Sequence, residues 1–380
     1  AEGFSQEKVD ELAHAIAWEI AANEELLREI AEYSFAECQL GDVPSKIAKV
    51  AGKCRGILYD VKDVKSVGVV EEIPERGLVR ITKPVGVIGS LVPSTQGEFH
   101  PLTQAIFVVK ARDAVIFSPH PRSKLTTLKV TNLLRAVMKK YDAPEDLFIC
   151  IEDPSIPKTN ELMKQCDLVI ATGGQPMVRA AHSSGTPAFG VGAGNAIIII
   201  DETADLADAA TKIKASKTFD LAAGCSCDNA VVIDESVYAE MLAEFKKVGA
   251  YLVNADEKEK LRKAIWPEWP ANHVINRHVV ASPVSNIADL AGIDVPAGTS
   301  FLLVEEDKTG EASPFAGEKM SLVTTVYKSS SIDEAIRITN ENHAYSGHGH
   351  SCGIFSATPE NVEKLALETY TTRVVVNQPQ

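Results

Sequence analysis

Between Ser5 and Cys38 the apolar residues Val9, Leu12, Ile16 and Ile20 recur three to four positions apart, a period that predicts one or two amphipathic helices. A polar stretch follows, then two β-rich segments at 78–82 and 84–94, the second reading PVGVIGSLVPS. From there short apolar runs alternate with helix-period segments. Strands are predicted at 114–118, 147–151, 168–171 and 196–200, and helices at 125–140, 160–165, 176–183 and 204–216. This rhythm predicts βαβ units on a parallel sheet. A second round begins after Phe219, with strands at 230–233 and 251–253 and helices at 237–248 and 257–265. The tail adds strands at 322–327, 352–355 and 373–377 around helices at 332–340 and 359–369. The class is therefore α/β. With no fixed-period repeat and no low-complexity linker, the two rounds place a boundary near 211–219, giving portions 1–214 and 215–380.

A length of 380 residues agrees with two or three domains. Lys and Arg number 38 against 52 Asp and Glu, a formal net charge of −14, and no segment gathers the cations into a stripe. Nucleic acid is thus not an expected partner. The apolar run 196–200 is far short of the roughly 18 residues of a membrane helix, so no membrane partner is expected either. The N-terminus shows neither a basic nor an apolar signal region. Seven scattered cysteines, Cys38, Cys54, Cys150, Cys166, Cys225, Cys227 and Cys352, lack CxxC or zinc spacing, which suits free thiols in a reducing cytoplasm.

Candidate chemistry gathers at a few places. Glycine-rich turns at 171–177 (ATGGQPM) and 189–195 (FGVGAGN) follow predicted strands. Gly190, Gly192 and Gly194 do not form a GxGxxG fingerprint, so a nucleotide site and a set of tight turns both remain open. The run FSPHPRSK offers Ser118, His120 and Arg122 beside a strand's carboxyl end, where α/β proteins bind nucleotides. In SKTFDLAAGCSCDN small residues leave Cys225 and Cys227 approachable; each is either a thiolate nucleophile or a small buried hydrophobe. His348 and His350 alternate with glycine in GHGHSCGIF, but no carboxylate or cysteine cluster completes a metal site. Glu318, in GEKMS, reads on its own as a solvated charge.

Taken in order, KPVGVIG, IFSPHPR, ATGG, SSGTPAFGVGAGN, ASKTFD with Cys225 after it, PFAGEKMS, GHSCGI and RVVVNQP span nearly the whole chain. In this set the sequence resembles the CoA-acylating branch of the aldehyde dehydrogenase superfamily, including the aldehyde dehydrogenase half of bifunctional aldehyde-alcohol dehydrogenases. The resemblance implies a Rossmann-type cofactor domain and an α/β catalytic domain, with the nucleophilic cysteine in the cleft between them. It implies NAD or NADP as hydride acceptor, coenzyme A as co-substrate, a short-chain aldehyde and acyl-CoA as the reacting pair, and a dimeric or tetrameric homo-oligomer. Cys225 matches the family nucleophile, whose thiolate forms a thiohemiacetal and then a thioester that CoA takes by exchange. Ser118, His120 and Arg122 match positions near the adenosine ribose and phosphates. Thr172, Gly173 and Gly174 match positions near the pyrophosphate or nicotinamide ribose, and Glu318 matches the ribose-holding glutamate. His350 matches a histidine near the active site.

Hydrolytic relatives carry a water-activating glutamate in Glu-Leu-Gly-Gly, where this chain has Gly190-Val191-Gly192-Ala193, so water attack on the acyl-enzyme is expected to be slow. Gln96 stands where the family commonly places an oxyanion-holding asparagine, and Leu221 where it places another asparagine. His100 is a candidate for favouring an anionic aldehyde. Family members continue past Gln380 into a segment that completes the catalytic domain, so that part is expected to be missing here. A hydrolytic aldehyde dehydrogenase and an inactive assembly scaffold are the alternatives.

Overall fold

The N-terminal periodicity is realised as α1 (Gln6–Ile16) and α2 (Glu24–Cys38), joined by a π-helical turn at Ala17–Ala21 and started by the Ser5 and Asn23 side-chain caps. The structure, a computed structural model, describes residues 1–380 and divides into two units, Ala1–Gly192 and Ala193–Gln380. No helix is long and apolar enough to cross a membrane.

In the first unit, α3 (Val43–Val61) occupies much of the stretch expected to be polar. Val50, Ala51 and Cys54 lie on its buried face, which they share with the charged Lys46 and Lys49. An antiparallel ribbon of β1 (Val69–Ile73) and β2 (Leu78–Ile81) follows, with Val69, Leu78, Val79 and Ile81 exposed. The main sheet has five parallel strands: β3 (Val87–Val92), β4 (Ala114–Pro119), β5 (Phe148–Cys150), β6 (Leu168–Thr172) and β7 (Ala188–Val191). The connecting helices are α4 (His100–Ala111), α5 (Lys124–Lys140), α6 (Ile156–Gln165) and α7 (Gln175–His182). The pattern did not announce α4, because 10 of its 12 residues are buried and the helix has no polar face to mark a period. The strand order β5-β4-β3-β6-β7 runs outward from β3 and then resumes on its other side. This is Rossmann order, with the reversal between β3 and β6.

The second unit holds a seven-stranded, wholly parallel sheet of order β10-β11-β12-β9-β8-β13-β14. Along the chain come β8 (Ala196–Ile200), α8 (Leu206–Thr218), β9 (Asp228–Asp234), α9 (Tyr238–Lys247), β10 (Ala250–Leu252) and α10 (Ala255–Ile265). Then follow α11 (Val284–Ala291), β11 (Phe301–Glu305), β12 (Val323–Ser329), α12 (Ile332–Tyr345), β13 (Gly349–Phe355), α13 (Pro359–Glu368) and β14 (Thr371–Val376). β8 reads AIIII and is buried throughout, as a central parallel strand must be. Because β8 pairs with β9 and β13, it and α8 fall in the second unit. The division therefore comes at Gly192, ahead of the expected 214/215 boundary.

Candidate functional site

Strands β12, β9, β8 and β13 are neighbours and parallel, so the segments that lead into them meet on one edge of the sheet, at the amino ends. The segments before β12, β9 and β8 carry Glu318, Cys225 and Gly194, and His350 is the second residue of β13. After α8 the chain makes a tight turn in which Asp220, Leu221 and Ala222 have φ of 49, 50 and 63°. Three successive non-glycine residues in the left-handed region cost roughly 1–2 kcal/mol each. Burial of Asp220 and Ala222 holds the turn, together with bonds from Ala223 N–H to Asp220 O (3.0 Å) and from Cys227 N–H to Gly224 O (3.2 Å).

Cys225, half-buried, stands in this loop with its Sγ 3.3 Å from His350 Nε2. The other ring nitrogen of His350 bonds Ser351 Oγ at 2.9 Å. Burial, helped by the Arg373 charge, pushes the imidazole below its ordinary range and keeps it neutral near pH 7. A neutral ring whose Nδ1–H donates to Ser351 leaves the Nε2 lone pair facing the thiol. Cys227 turns inward instead: it is buried, its Sγ lies 3.8 Å from Ala222 O, and burial pushes its thiol up. The two histidines of GHGHS also part company, since His348 stacks on Tyr370 at 5.1 Å while His350 meets Cys225.

Gly194 packs directly under the cysteine loop. A Cβ built there would lie 1.7 Å from the Cys225 carbonyl oxygen, so only glycine fits. Its N–H donates to Glu318 Oε1 at 2.9 Å, and the Glu318 carboxyl is half-buried rather than a solvated charge. Burial pushes Glu318 up, against the pull of the Gly194 and Asn195 N–H groups and the charges of Lys217 and Lys319. An amide pair locks the surroundings. Asn229 Nδ2 donates to Asn195 Oδ1 and to Gly317 O (2.8 Å), Asn195 Nδ2 donates to Ser346 O (2.7 Å) and Ala316 O (3.0 Å), and Lys319 N–H donates to Asn229 Oδ1 (3.1 Å).

In the first unit the expected cofactor residues line the carboxyl edge of the sheet. Ser118 Oγ is engaged with Thr159 Oγ1 (2.8 Å), His120 Nδ1 accepts from Arg122 N–H (3.1 Å), and Arg122 donates to Cys38 O (2.6 Å). The start of α5 is closed by Glu37, which accepts from the N–H groups of Leu125 and Thr126, both at 2.8 Å. The start of α7 has no side-chain cap. Gly173, at φ 158°, has no atom within 4 Å of a built Cβ, and Gly174 has only the Pro176 ring at 3.7 Å. Gly173 N–H is bonded to Val191 O (3.1 Å), Met177 and Val178 N–H to Gly174 O, and Pro176 has none, so the Gly174 and Gln175 N–H groups are the open donors at this helix start, a pair that fits a phosphate oxygen. Gly190 and Gly192 are packing glycines: built Cβ atoms would strike Val178 and His182, and Gln175, all on α7. Gln96, half-buried in the turn after β3, makes no side-chain hydrogen bond. His100 is buried with Gln104 Nε2 at 2.7 Å, and burial pushes it down to about 4, so it is neutral near pH 7 and offers no charge to an anionic aldehyde.

The model of the aldehyde dehydrogenase family matches residues 5–261. The chain belongs to the aldehyde dehydrogenase family. It is 42% identical over 376 residues to the acylating sulfoacetaldehyde dehydrogenase of Bilophila wadsworthia, covering 99% of this chain and 81% of that protein. Among solved structures it is similar to an acetylating aldehyde dehydrogenase from Geobacillus thermoglucosidasius, with a TM-score of 0.94, 33% identity, and coverage of 100% of this chain and 82% of that one. It is also similar to the propionaldehyde dehydrogenase of Rhodopseudomonas palustris with bound propionyl-CoA, with a TM-score of 0.86, 26% identity, and coverage of 99% and 81%.

The motifs give no role to Asn195 or Lys217, and Asp228 and Asn229 stand out only in the trio Cys227-Asp228-Asn229, where the family commonly has Ser-Glu-Gln. The available signal was positional: each amide sits within a residue of an apolar β-run, at the close of a glycine-rich or small-residue turn, where a buried side chain has to satisfy loop carbonyls.

Proposed function

We propose that this family member catalyses the NAD(P)-dependent, CoA-acylating and reversible oxidation of a short-chain aldehyde, with Cys225 as the nucleophile. The observation that carries the reading is the 3.3 Å approach of His350 Nε2 to Cys225 Sγ in a rigidly held loop. His350 takes the thiol proton, and the Cys225 thiolate adds to the aldehyde carbon. At the position where the family places the oxyanion-holding amide this chain has Gln96, whose side chain makes no hydrogen bond. The open N–H groups of Gly174 and Gln175, beside the uncrowded Gly173, hold the dinucleotide, and Ser118, His120, Arg122, Thr172 and Glu318 are the other positions assigned to it. Bound there, the dinucleotide supplies a hydride acceptor.

The acyl group then rests on Cys225 as a thioester. The chain has Gly190 in place of a general base, so hydrolysis is slow and the CoA thiolate relieves the enzyme by exchanging one thioester for another. The names of the relatives support this choice, and the sulfonated aldehyde in one of them makes anionic short aldehydes part of the substrate panel. Seven free thiols suit a reducing compartment, and the exposed apolar ribbon β1–β2 suits a homo-oligomer.

The test is NADH formation from acetaldehyde, propionaldehyde, succinate semialdehyde and sulfoacetaldehyde, with and without CoA, in wild type and Cys225→Ser. Strict dependence on CoA and on Cys225 is expected. Equal turnover without CoA would move the chain to the hydrolytic branch.

A further inference from the structure

Behind the cysteine loop lies a buried group of ionisable side chains that the reaction above does not use. Lys217, the penultimate residue of α8, is fully buried, and its Nζ makes no hydrogen bond. Asp228, the first residue of β9, is also buried, and its Oδ1 makes none either. These two residues bracket the segment on which Cys225 stands. Burial pulls the Lys217 ammonium below its ordinary range, and Cys227, Asp228 and Glu318 pull the other way and favour its charge; Lys319, the like charge beside it, has its Nζ committed to Phe315 O (2.8 Å) and Gly317 O (3.1 Å). A methionine would fill the volume of Lys217 without the cost of burying an ammonium, so packing alone does not account for a lysine here.

The geometry gives that ammonium a task. Glu318 accepts the Gly194 N–H, and Gly194 lies against the Cys225 carbonyl so closely that no side chain fits between them. We infer that Lys217 is a positioning residue: its buried positive charge keeps the Glu318 carboxylate gripping Gly194 and favours the thiolate on the loop that Gly194 supports. Asp228 opposes it as the counter-charge. Burial raises the Asp228 carboxyl to about 7, so above that pH the acid is ionised and partly cancels the ammonium.

The inference rests on Cys225 being the reactive thiol, and its test is independent of turnover. Iodoacetamide labelling of Cys225, read by peptide mass over a pH series without aldehyde, dinucleotide or CoA, reports the thiolate alone. In Lys217→Met the rising limb moves up by about one pH unit, about tenfold slower labelling at a given pH on that limb. Lys217→Arg, which keeps the charge, stays with wild type. Asp228→Asn moves the limb the other way, because the ammonium loses its counter-charge. An unchanged limb in Lys217→Met overturns the inference, as does a shift in Lys217→Arg equal to that in Lys217→Met. If Lys217→Met does not fold, the sign of the Asp228→Asn shift decides, and no shift or an upward one overturns it. Normal labelling shifts combined with turnover that survives Cys225→Ser would instead refute the proposed function.

Discussion

The two sheets present their candidate chemistry at opposite edges. The five-stranded sheet does so at its carboxyl ends, where Ser118 and Thr172 lie at the ends of β4 and β6 and Gly173–Gly174 follow β6 beside the strand-order reversal. The seven-stranded sheet does so at the amino ends of β12, β9, β8 and β13, where Glu318, Cys225, Gly194 and His350 lie. The carboxyl-edge rule for α/β sheets therefore locates the dinucleotide residues and misses the nucleophile. Their buried charges differ as well. In the first unit Glu98 is fully buried but saturated: it meets Lys49 at 2.6 Å, Lys46 at 3.5 Å and Ser34 Oγ at 3.1 Å. In the second, Lys217 and Asp228 are buried with polar atoms that make no bond. Buried charge alone thus marks structure, and buried charge with unmet bonds marks a place where field and proton matter.

The largest effect expected from this contrast is in the saturated cluster. Glu98→Ala removes the carboxylate shared by two buried ammoniums and should cost about 3–5 kcal/mol in denaturant unfolding. The labelling profile of Cys225 should keep its shape; a shift as large as that of Lys217→Met would erase the distinction between the clusters. Next, Gly194→Ala forces a methyl into the Cys225 carbonyl and should lower kcat roughly 10²-fold, while the KM for the dinucleotide changes little. A rise in that KM with kcat intact would place Gly194 at the cofactor instead.

A pH effect of similar kind should appear in both units, because burial pushes His100 and His343 each down to about 4. The folded chain leaves both rings neutral while the unfolded chain protonates them below about 6.5. Stability is therefore full above that pH and is lost as pH falls toward 4, by about 2 kcal/mol per ring between pH 7 and 5. His100→Gln should remove one such share from the slope of unfolding free energy against pH, and an unaltered slope would contradict the assignment. The smallest effect is at α5, where Glu37→Ala removes a helix cap and should cost about 1 kcal/mol in thermal unfolding without altering the dinucleotide KM. A raised KM would show that the capped helix start takes part in binding.

Much of the architecture was legible because amphipathic helices and all-apolar strands write their period into the chain; α5, β8 and β9 are examples. α4 was not, being buried on nearly every side, and neither was α3, whose inward face carries two lysines. β7 was hidden within a glycine-rich turn, and its glycines serve packing on α7. At the site, Cys225, His350 and Glu318 could be picked out from motif order. What linear spacing could not supply was that Gly194 lies under Cys225, a contact between segments brought to one sheet edge by strand order, or that Lys217 and Asp228 are buried with unmet bonds. Spacing alone left Cys225 and Cys227 equivalent and motif order chose Cys225; in the loop after the left-handed turn at Asp220–Ala222 that cysteine is half-buried and Cys227 is buried.

The most direct test of the central claim is acyl transfer to the enzyme without any nicotinamide. Wild-type protein mixed with propionyl-CoA should release one free CoA thiol per chain and carry a hydroxylamine-sensitive propionyl thioester on the Cys225 peptide, and Cys225→Ser should do neither. An acyl group on Cys227, or no CoA release from the wild type, would contradict the account.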